Sequence, residues 1–151
     1  MPFEPDQGDR PLDGPRKNVY SASADLVLDE HATAHARELV RALLASWGVH
    51  DDAAYDALLV VSELVGNAAR HASHPAAHVE VTLDPLGLLV AVRDGDEVEP
   101  IPRQVDPMDE SGRGYMIIEG LAVTWDVEKQ PDGKRVWVLL PDPRAQQPPP
   151  P

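Results

Sequence analysis

A carboxylate and a carboxamide, Glu63 and Asn67, lie four positions apart in an apolar stretch, and Arg70 or His71 follows at the next helical interval. On a helix these spacings place the polar groups on one face. Alone, such a stripe is usually the solvated side of an amphipathic helix. Gly66 indicates more, because a mid-helix glycine costs about 1 kcal/mol relative to alanine and suggests that something approaches the backbone closely. The stretch is therefore a candidate for ligand contact.

Two further segments carry residues suited to binding a ligand. Asp94 precedes Gly95 where an apolar strand pattern ends, a place where acids often contact ligands, although Asp-Gly also simply makes turns. Gly112 and Gly114 run into a short apolar helix pattern, whose free N–H groups and dipole would favour a phosphate. Asp94 lies 27 residues after Asn67, and Gly112 lies 18 residues after Asp94. The ordered set is more specific than any one of its members.

Two amphipathic helices are predicted before the first strands. Apolar residues recur at helical spacing from Ala32 to Trp47, and Gly48 ends the pattern. Asp51 or Asp52 caps a second, longer helix that ends near residue 73 and carries the stripe described above. Its predicted apolar face comprises Tyr55, Leu58, Leu59, Ser62, Val65 and Ala69.

The pattern then changes to the alternation of strands. A hairpin of residues 79–83 and 88–92 turns at 84–87, and a second pair, 123–128 and 134–140, turns at 131–133. Between them, 95–111 contains several prolines and forms a long ordered loop or a mobile lid, followed by a short helix over 114–121. These elements predict an α+β fold, a mainly antiparallel sheet with helices on one face.

Composition limits the class of protein. The 151 residues include 13 Lys plus Arg and 26 Asp plus Glu, a net charge of −13, and no cysteine. The acidity opposes direct nucleic-acid binding and favours a basic partner, and the missing cysteines exclude a disulfide scaffold and a thiolate zinc site. No apolar run approaches the roughly 20 residues that cross a bilayer, so we expect a cytoplasmic protein without a membrane segment.

The distribution of proline predicts one domain between two tails. Residues 1–18 and the Pro-rich 142–151 have too little apolar surface to offset the entropy of ordering, and both are expected to be disordered. The folded domain is predicted at 19–141, because no repeat or internal linker divides it.

The ordered motifs resemble the GHKL superfamily of ATP-binding proteins, which includes gyrase, Hsp90, histidine kinases and MutL. The resemblance is greatest to the bacterial anti-sigma-factor serine/threonine kinases and spans almost all of the core. It implies a two-layer α/β sandwich of the histidine-kinase-like ATPase type. The residues that carry it are the early helix ending in Trp47 and Gly48, the stretch 63–71, Gly112 to Gly114, and 133–137.

The resemblance also implies roles for individual residues. Asn67 would complete the coordination of a Mg²⁺ ion that bridges the phosphates of ATP, and Glu63 would be the general base. Asp94 would accept a hydrogen bond from the adenine amino group. The remaining ATP contacts would come from Arg70, Gly95, Gly112, Arg113, Gly114 and Tyr115.

The function implied by the resemblance is that of a Mg-ATP-dependent serine/threonine protein kinase acting by partner switching. Such a protein phosphorylates an anti-anti-sigma antagonist, holds a sigma factor, and forms a homodimer. An ATP-binding module that sequesters a regulator with weak or no phosphotransfer is the alternative. Three departures from the family pattern keep it open: Asp96 stands in a usual glycine position, Tyr115 stands where leucine is more usual, and Arg103 is the only cation of the 95–111 loop.

Two other functions are disfavoured by the sequence. A histidine kinase acting in trans is the weaker kinase hypothesis, because no histidine-bearing dimerisation helix precedes the domain. A transition-metal site at His71, His74 and His78 lacks a fixed geometry, because a proline interrupts this stretch.

Overall fold

The computed structural model describes residues 19–71, 74–95 and 110–146. The elements, in chain order, are β1 (Tyr20–Val27), α1 (Ala32–Ser46), α2 (Asp51–His71), β2 (Ala76–Asp84), β3 (Gly87–Asp94), α3 (Glu110–Leu121), β4 (Thr124–Gln130), β5 (Gly133–Leu140) and a 3-10 turn (Pro143–Gln146). The predicted disordered tail 1–18, residues 96–109 of the loop or lid predicted at 95–111, and residues 147–151 of the predicted second tail fall outside the described residues.

The five strands form one antiparallel sheet in the order β1-β2-β3-β5-β4. Strand burial alternates with period two, as in β5, where Val136, Val138 and Leu140 are buried. Helix α2 packs on β3 and β5, and α1 packs on α2 and β1. The predicted α+β architecture, an antiparallel sheet covered on one face by helices, is confirmed.

The opposite face of the sheet is polar near its β2–β5 region. Arg135 reaches Glu80 on β2 at 3.1 Å and Glu128 on β4 at 3.3 Å. Such half-exposed pairs add little stability but keep this face polar. Buried side chains therefore concentrate on the helix-covered side, where the predicted site residues also lie.

Strand β1 is a feature that the sequence pattern did not predict. Its inward positions include small alanines, and within Tyr20–Val27 only Leu26 is buried. The strand is placed by pairing with β2, where Ser21 bonds Thr82 and His78 Nδ1 lies 2.9 Å from Asp25 Oδ1. A tertiary partner, rather than a strong local pattern, determines this element.

The buried face of α2 also differs from the predicted one. Tyr55 is 63% exposed and Ala69 is exposed, although both belong to the predicted apolar face. Because α2 contacts α1, α3 and the sheet, its buried residues span a wider arc. They are Ala54, Ala57, Leu58, Val60, Val61, Leu64, Val65, Asn67 and Ala68.

Two boundaries differ from the predicted positions. Helix α3 begins at Glu110 rather than at Gly114, so Gly112 and Gly114 lie inside its first turns. At the other end, the fold continues beyond Pro141 into the turn Pro143–Gln146, which contacts α2. There Arg144 donates to the buried Asp142 through both backbone and guanidinium, and these bonds order residues that composition alone assigns to a tail.

Candidate functional site

Asn67 is a buried amide at the carboxyl-terminal part of α2. Its residue is only 5% exposed, and its Oδ1 accepts a hydrogen bond from the Arg70 guanidinium one turn later. Its Nδ2 is buried and has no hydrogen-bond partner in the described part of the chain. An unsatisfied buried donor costs about 1–3 kcal/mol, so this amide group is suited to a further partner.

Tyr115 on α3 presents a second unsatisfied group beside this amide. The residue is 3% exposed, its ring packs against Trp125 with centroids 5.5 Å apart, and its hydroxyl has no partner among the described residues. Burial raises the pKa of Tyr115 to about 12. The Asn67 side chain lowers this pKa, the Asp94 charge raises it, and the Arg70 charge lowers it. These influences show that the four side chains share one site.

Asp94 ends β3 on the helix-covered side of the sheet and pairs with a buried lysine. Asp94 and Lys134 are Cα partners across β3 and β5, and Lys134 Nζ lies 3.1 Å from Asp94 Oδ1. Their side chains are 3% and 5% exposed respectively. Sequence reasoning did not single out Lys134, but a signal was available. Lys134 occupies the same side of its strand as buried Val136 and Val138, where a lysine is unexpected.

Two glycines, Gly95 after β3 and Gly133 at the start of β5, allow close contacts where these strands meet. Gly133 has φ +154°, and a Cβ there would lie 1.9 Å from the backbone oxygen of Asp94. A Cβ on Gly95 would lie 2.0 Å from the His74 ring. A cavity of about 290 Å³ is lined by Asp94 and Gly95 but not by Asn67 or Tyr115, so it meets the polar cluster at Asp94.

Glu63 and Gly66 precede Asn67 on α2. Glu63 is half-buried and lies one turn before Asn67. A Cβ on Gly66 would meet only Arg70 Nη1, at 3.7 Å, which is ordinary contact. The close approach inferred from this glycine is therefore not provided by the described residues.

The glycine pair has its backbone in α3. Gly112, Arg113 and Gly114 belong to the helix Glu110–Leu121, whose first N–H groups have no partner within the helix. Because Tyr115 follows directly and lies beside Asn67, this helix start is near the end of α2. The side chain of Arg113 lies outside the described residues.

The site combines predicted and unpredicted residues. Asn67, Arg70, Asp94 and Tyr115, all predicted, are brought together, and Lys134 joins them through Asp94. In the described ranges no three His, Asp or Glu side chains form a metal-binding group. None of the described helices is both long and apolar enough to span a bilayer.

A helix-covered antiparallel sheet with this polar cluster between α2, α3 and β3 defines a histidine-kinase-like ATPase. The model of the family "Histidine kinase-like ATPase domain" matches residues 26–140, and the chain belongs to this family. The superfamily assignment made from the motifs is therefore confirmed, and membership implies ATP binding.

One solved structure similar to this chain is the crystal structure of the RsbU and RsbW domains of Rv1364c from Mycobacterium tuberculosis. The TM-score is 0.62 and the sequence identity 19%, over 81% of this chain and 32% of that one. This similarity supports the fold. The present chain thus spans about a third of that structure. No curated protein has significant sequence similarity to the chain.

Proposed function

We propose that the protein is a Mg-ATP-dependent serine/threonine kinase of the anti-sigma-factor type. The observation that carries the proposal is the pair of unsatisfied buried atoms, Asn67 Nδ2 and Tyr115 Oη, in one cluster with Asp94. Buried polar groups nearly always have partners, so a polar ligand is the simplest explanation for two neighbouring exceptions. ATP fits because the end of β3 offers the Asp94 carboxylate for the base, whereas Asn67 and Tyr115 offer polar groups for the phosphates near the start of α3.

The donor set suits a magnesium ion held together with the phosphates. Asn67 Oδ1 is an oxygen ligand of the kind Mg²⁺ prefers, and Mg²⁺ commonly relies on one or two protein oxygens plus substrate phosphates. When bound, the ion would neutralise phosphate charge. Arg70 donates to this same oxygen, so release of the guanidinium would free Oδ1 and leave a cation near the phosphates.

The remaining side chains have complementary roles in the proposed reaction. Asp94 accepts a hydrogen bond from the adenine amino group. The hydroxyl oxygen of a protein serine or threonine attacks the γ-phosphorus, its proton passes to Glu63, and the bond to the ADP oxygen breaks. Because the pKa of Tyr115 is about 12, its hydroxyl stays protonated at neutral pH and is able to donate to a phosphate oxygen.

The proposed partners follow from charge and family. A net charge of −13 suits capture of a basic region of a sigma factor, while an anti-anti-sigma antagonist would be the phosphoacceptor. The RsbW domain named in the similar structure belongs to that protein, and it supports partner switching here by analogy. A cytoplasmic homodimer is part of this proposal.

The experiment that tests the proposal separates nucleotide binding from transfer. Titration calorimetry of the full chain with ATP, with and without Mg²⁺, should show Mg²⁺-dependent binding that GTP does not displace. Asn67→Ala should abolish this binding, whereas Glu63→Gln should retain it and lose transfer of a γ-phosphate label to an antagonist protein.

Each possible failure of that experiment has a different meaning. Thermal denaturation verifies that both variants fold. Equal loss of ATP binding in Asn67→Ala and Glu63→Gln would contradict the assignment of the base. ATP binding by the wild type without any transfer would support the alternative, a module that sequesters its partner.

A further inference from the structure

Strand β1 forms one edge of the sheet, and none of the described strands pairs with its free side. Leu28, directly after β1, donates its N–H to the Pro75 carbonyl oxygen at 2.7 Å, and these two residues are opposite each other in the β1–β2 register. In an antiparallel ladder, residues in hydrogen-bonded pairs alternate with residues whose N–H and C=O groups point away from that partner strand. The latter residues are Ser21, Ser23, Asp25 and Val27. Their main-chain groups face the free side of β1 and offer a template for another strand.

The two edges of the sheet differ in charge. Strand β4, at the other edge, carries exposed Asp126 and Glu128. If β4 paired with a second copy about its middle residue, Val127, these acids would lie opposite each other, which is destabilising. Strand β1 has a single charged residue, Asp25, and no proline, although the chain has a net charge of −13. Charged residues and proline commonly protect edge strands, so β1 is the less protected edge.

A second copy of β1 matches this edge when the two strands run antiparallel about Ser23. Odd-numbered residues then lie opposite odd-numbered residues, so each side chain stays on its own face of the sheet. On the face opposite the helices, Ser21 lies opposite Asp25 of the second copy, and Val19 lies opposite Val27 of the second copy. Val19 and Val27 are 65% and 62% exposed in the single chain. This register pairs polar with polar and apolar with apolar residues, and it gives both exposed valines an apolar neighbour.

We propose that two copies of this chain associate through their β1 edges and join their two sheets into one continuous antiparallel sheet. Opposed residues whose main-chain groups face the free side exchange two hydrogen bonds with each other. The interface is isologous, as in most two-fold dimers. Strand pairing alone buries less than the about 1,200 Å² of a standard interface, so we expect the dimer to dissociate on dilution. This inference rests on the homodimer of the proposed function and names its interface, but it requires neither ATP binding nor phosphotransfer.

An intermolecular disulfide tests the register, because the chain has no cysteine of its own. In the proposed dimer Ser23 lies opposite Ser23 of the second copy, with Cα atoms about 5.5 Å apart. A disulfide spans Cα distances of roughly 4.4–6.8 Å. Oxidation of the full-length Ser23→Cys variant with copper phenanthroline should therefore produce a covalent dimer, measured on a non-reducing gel.

Ser21→Cys is the matched control for this cross-link. Ser21 is also an exposed serine on the same face of β1. In the proposed register, however, the two copies of residue 21 are four positions apart, a separation of about 13 Å along the strand. This variant should stay monomeric under the same oxidation. Equal yields of covalent dimer from the two variants, or none from either, would contradict the proposed register.

Analytical ultracentrifugation of the full chain tests the association itself. The wild type should convert from monomer to dimer as its concentration rises. Val27→Lys places a charge on the β1 edge and should weaken association at least about tenfold. Ser23→Pro removes an N–H that faces the free side and not β2, so it should abolish association while the β1–β2 ladder stays intact. Val123→Lys, at a valine that is also 62% exposed but lies away from β1, should keep the wild-type dissociation constant.

The outcomes separate this proposal from the proposed function. Circular dichroism verifies that each variant folds, and Val27→Lys keeps the test decisive if Ser23→Pro does not. A wild type that stays monomeric at sub-millimolar concentration would overturn the proposal and leave the β1 edge open to a strand of another protein. A dimer that persists in Val27→Lys would use another surface and would also overturn it. A wild type that dimerises as expected but does not bind ATP would contradict the proposed kinase function alone.

Discussion

The buried polar cluster has two ends, Asp94 and Lys134 on the strands and Asn67 and Tyr115 on the helices. The two ends differ in whether their polar groups have partners within the protein. On the strands, Asp94 and Lys134 satisfy each other through a direct ion pair. Between the helices, Asn67 Nδ2 and Tyr115 Oη have no partner among the described residues. Asp94 and Lys134 therefore have partners within the protein, whereas no described residue completes the hydrogen bonds of the helix end. We therefore expect the Tyr115 hydroxyl at the helix end to serve ligand binding alone, and the Asp94–Lys134 pair at the strand end to serve stability in addition to the proposed contact with adenine.

The largest expected effect comes from breaking the strand end at Asp94. Asp94→Ala removes the carboxylate that pairs with the buried Lys134 ammonium, which should lower the free energy of unfolding by about 3–5 kcal/mol. Urea denaturation measures this change. Asp132→Ala, in the exposed turn between β4 and β5, is the control and should stay within about 0.5 kcal/mol of the wild type. Similar losses in both variants would mean that the pair is not buried as described.

Gly133→Ala should disrupt the strand end by a steric clash with the backbone. The added Cβ would lie 1.9 Å from the Asp94 backbone oxygen, so β3 and β5 must separate locally. We expect a loss of more than about 2 kcal/mol in the free energy of unfolding. Gly120→Ala is the matched control, because a Cβ there meets nothing within 4 Å and helix propensity favours alanine by about 1 kcal/mol. A tolerated Gly133→Ala would contradict this strand register.

Alkaline pH should probe the helix end. The pKa of Tyr115 is about 12 in the folded protein, above its ordinary value of 10.0, because burial disfavours the phenolate. The protonated hydroxyl is compatible with burial, so its contribution to stability is complete below the tyrosine pKa of the unfolded chain, 10.0. This contribution is lost as pH rises from there through the pKa of the folded protein, about 12. The tyrosine should therefore cost about 1 kcal/mol of stability by about pH 11. Urea denaturation at several pH values should show this loss in the wild type and a smaller one in Tyr115→Phe. Equal losses would place the tyrosine in a hydrated setting.

The sequence predicts residues at both ends of the polar cluster, but it does not predict their ion-pair and hydrogen-bond partners. Glu63 and Asn67 follow from helical spacing, and Asp94 follows from the end of an alternating strand. The Lys134 pairing depends on the β3–β5 register, which sequence spacing does not specify. The unsatisfied hydroxyl of Tyr115 likewise depends on how α3 packs against α2.

Some elements of the fold follow from local sequence patterns, whereas others are determined by tertiary contacts. The two long helices and both hairpins have strong periodicity, and the structure places them within a few residues of their predicted bounds. Strand β1 has small alanines inside and serines outside, so only its pairing with β2 defines it. The turn Pro143–Gln146 depends on hydrogen bonds between Asp142 and Arg144, which composition does not reveal.

Tyr115→Phe should change stability least and thereby separates the two ends most sharply. Removing a hydroxyl that has no partner eliminates an unsatisfied group, so the free energy of unfolding at neutral pH should stay within about 0.5 kcal/mol or rise slightly. ATP affinity should fall about tenfold, because the bound phosphate loses one hydrogen bond of about 1.4 kcal/mol. Tyr55→Phe, at an exposed tyrosine, should change neither quantity. A large loss of stability with unchanged ATP affinity would mean that the hydroxyl serves the fold rather than the ligand.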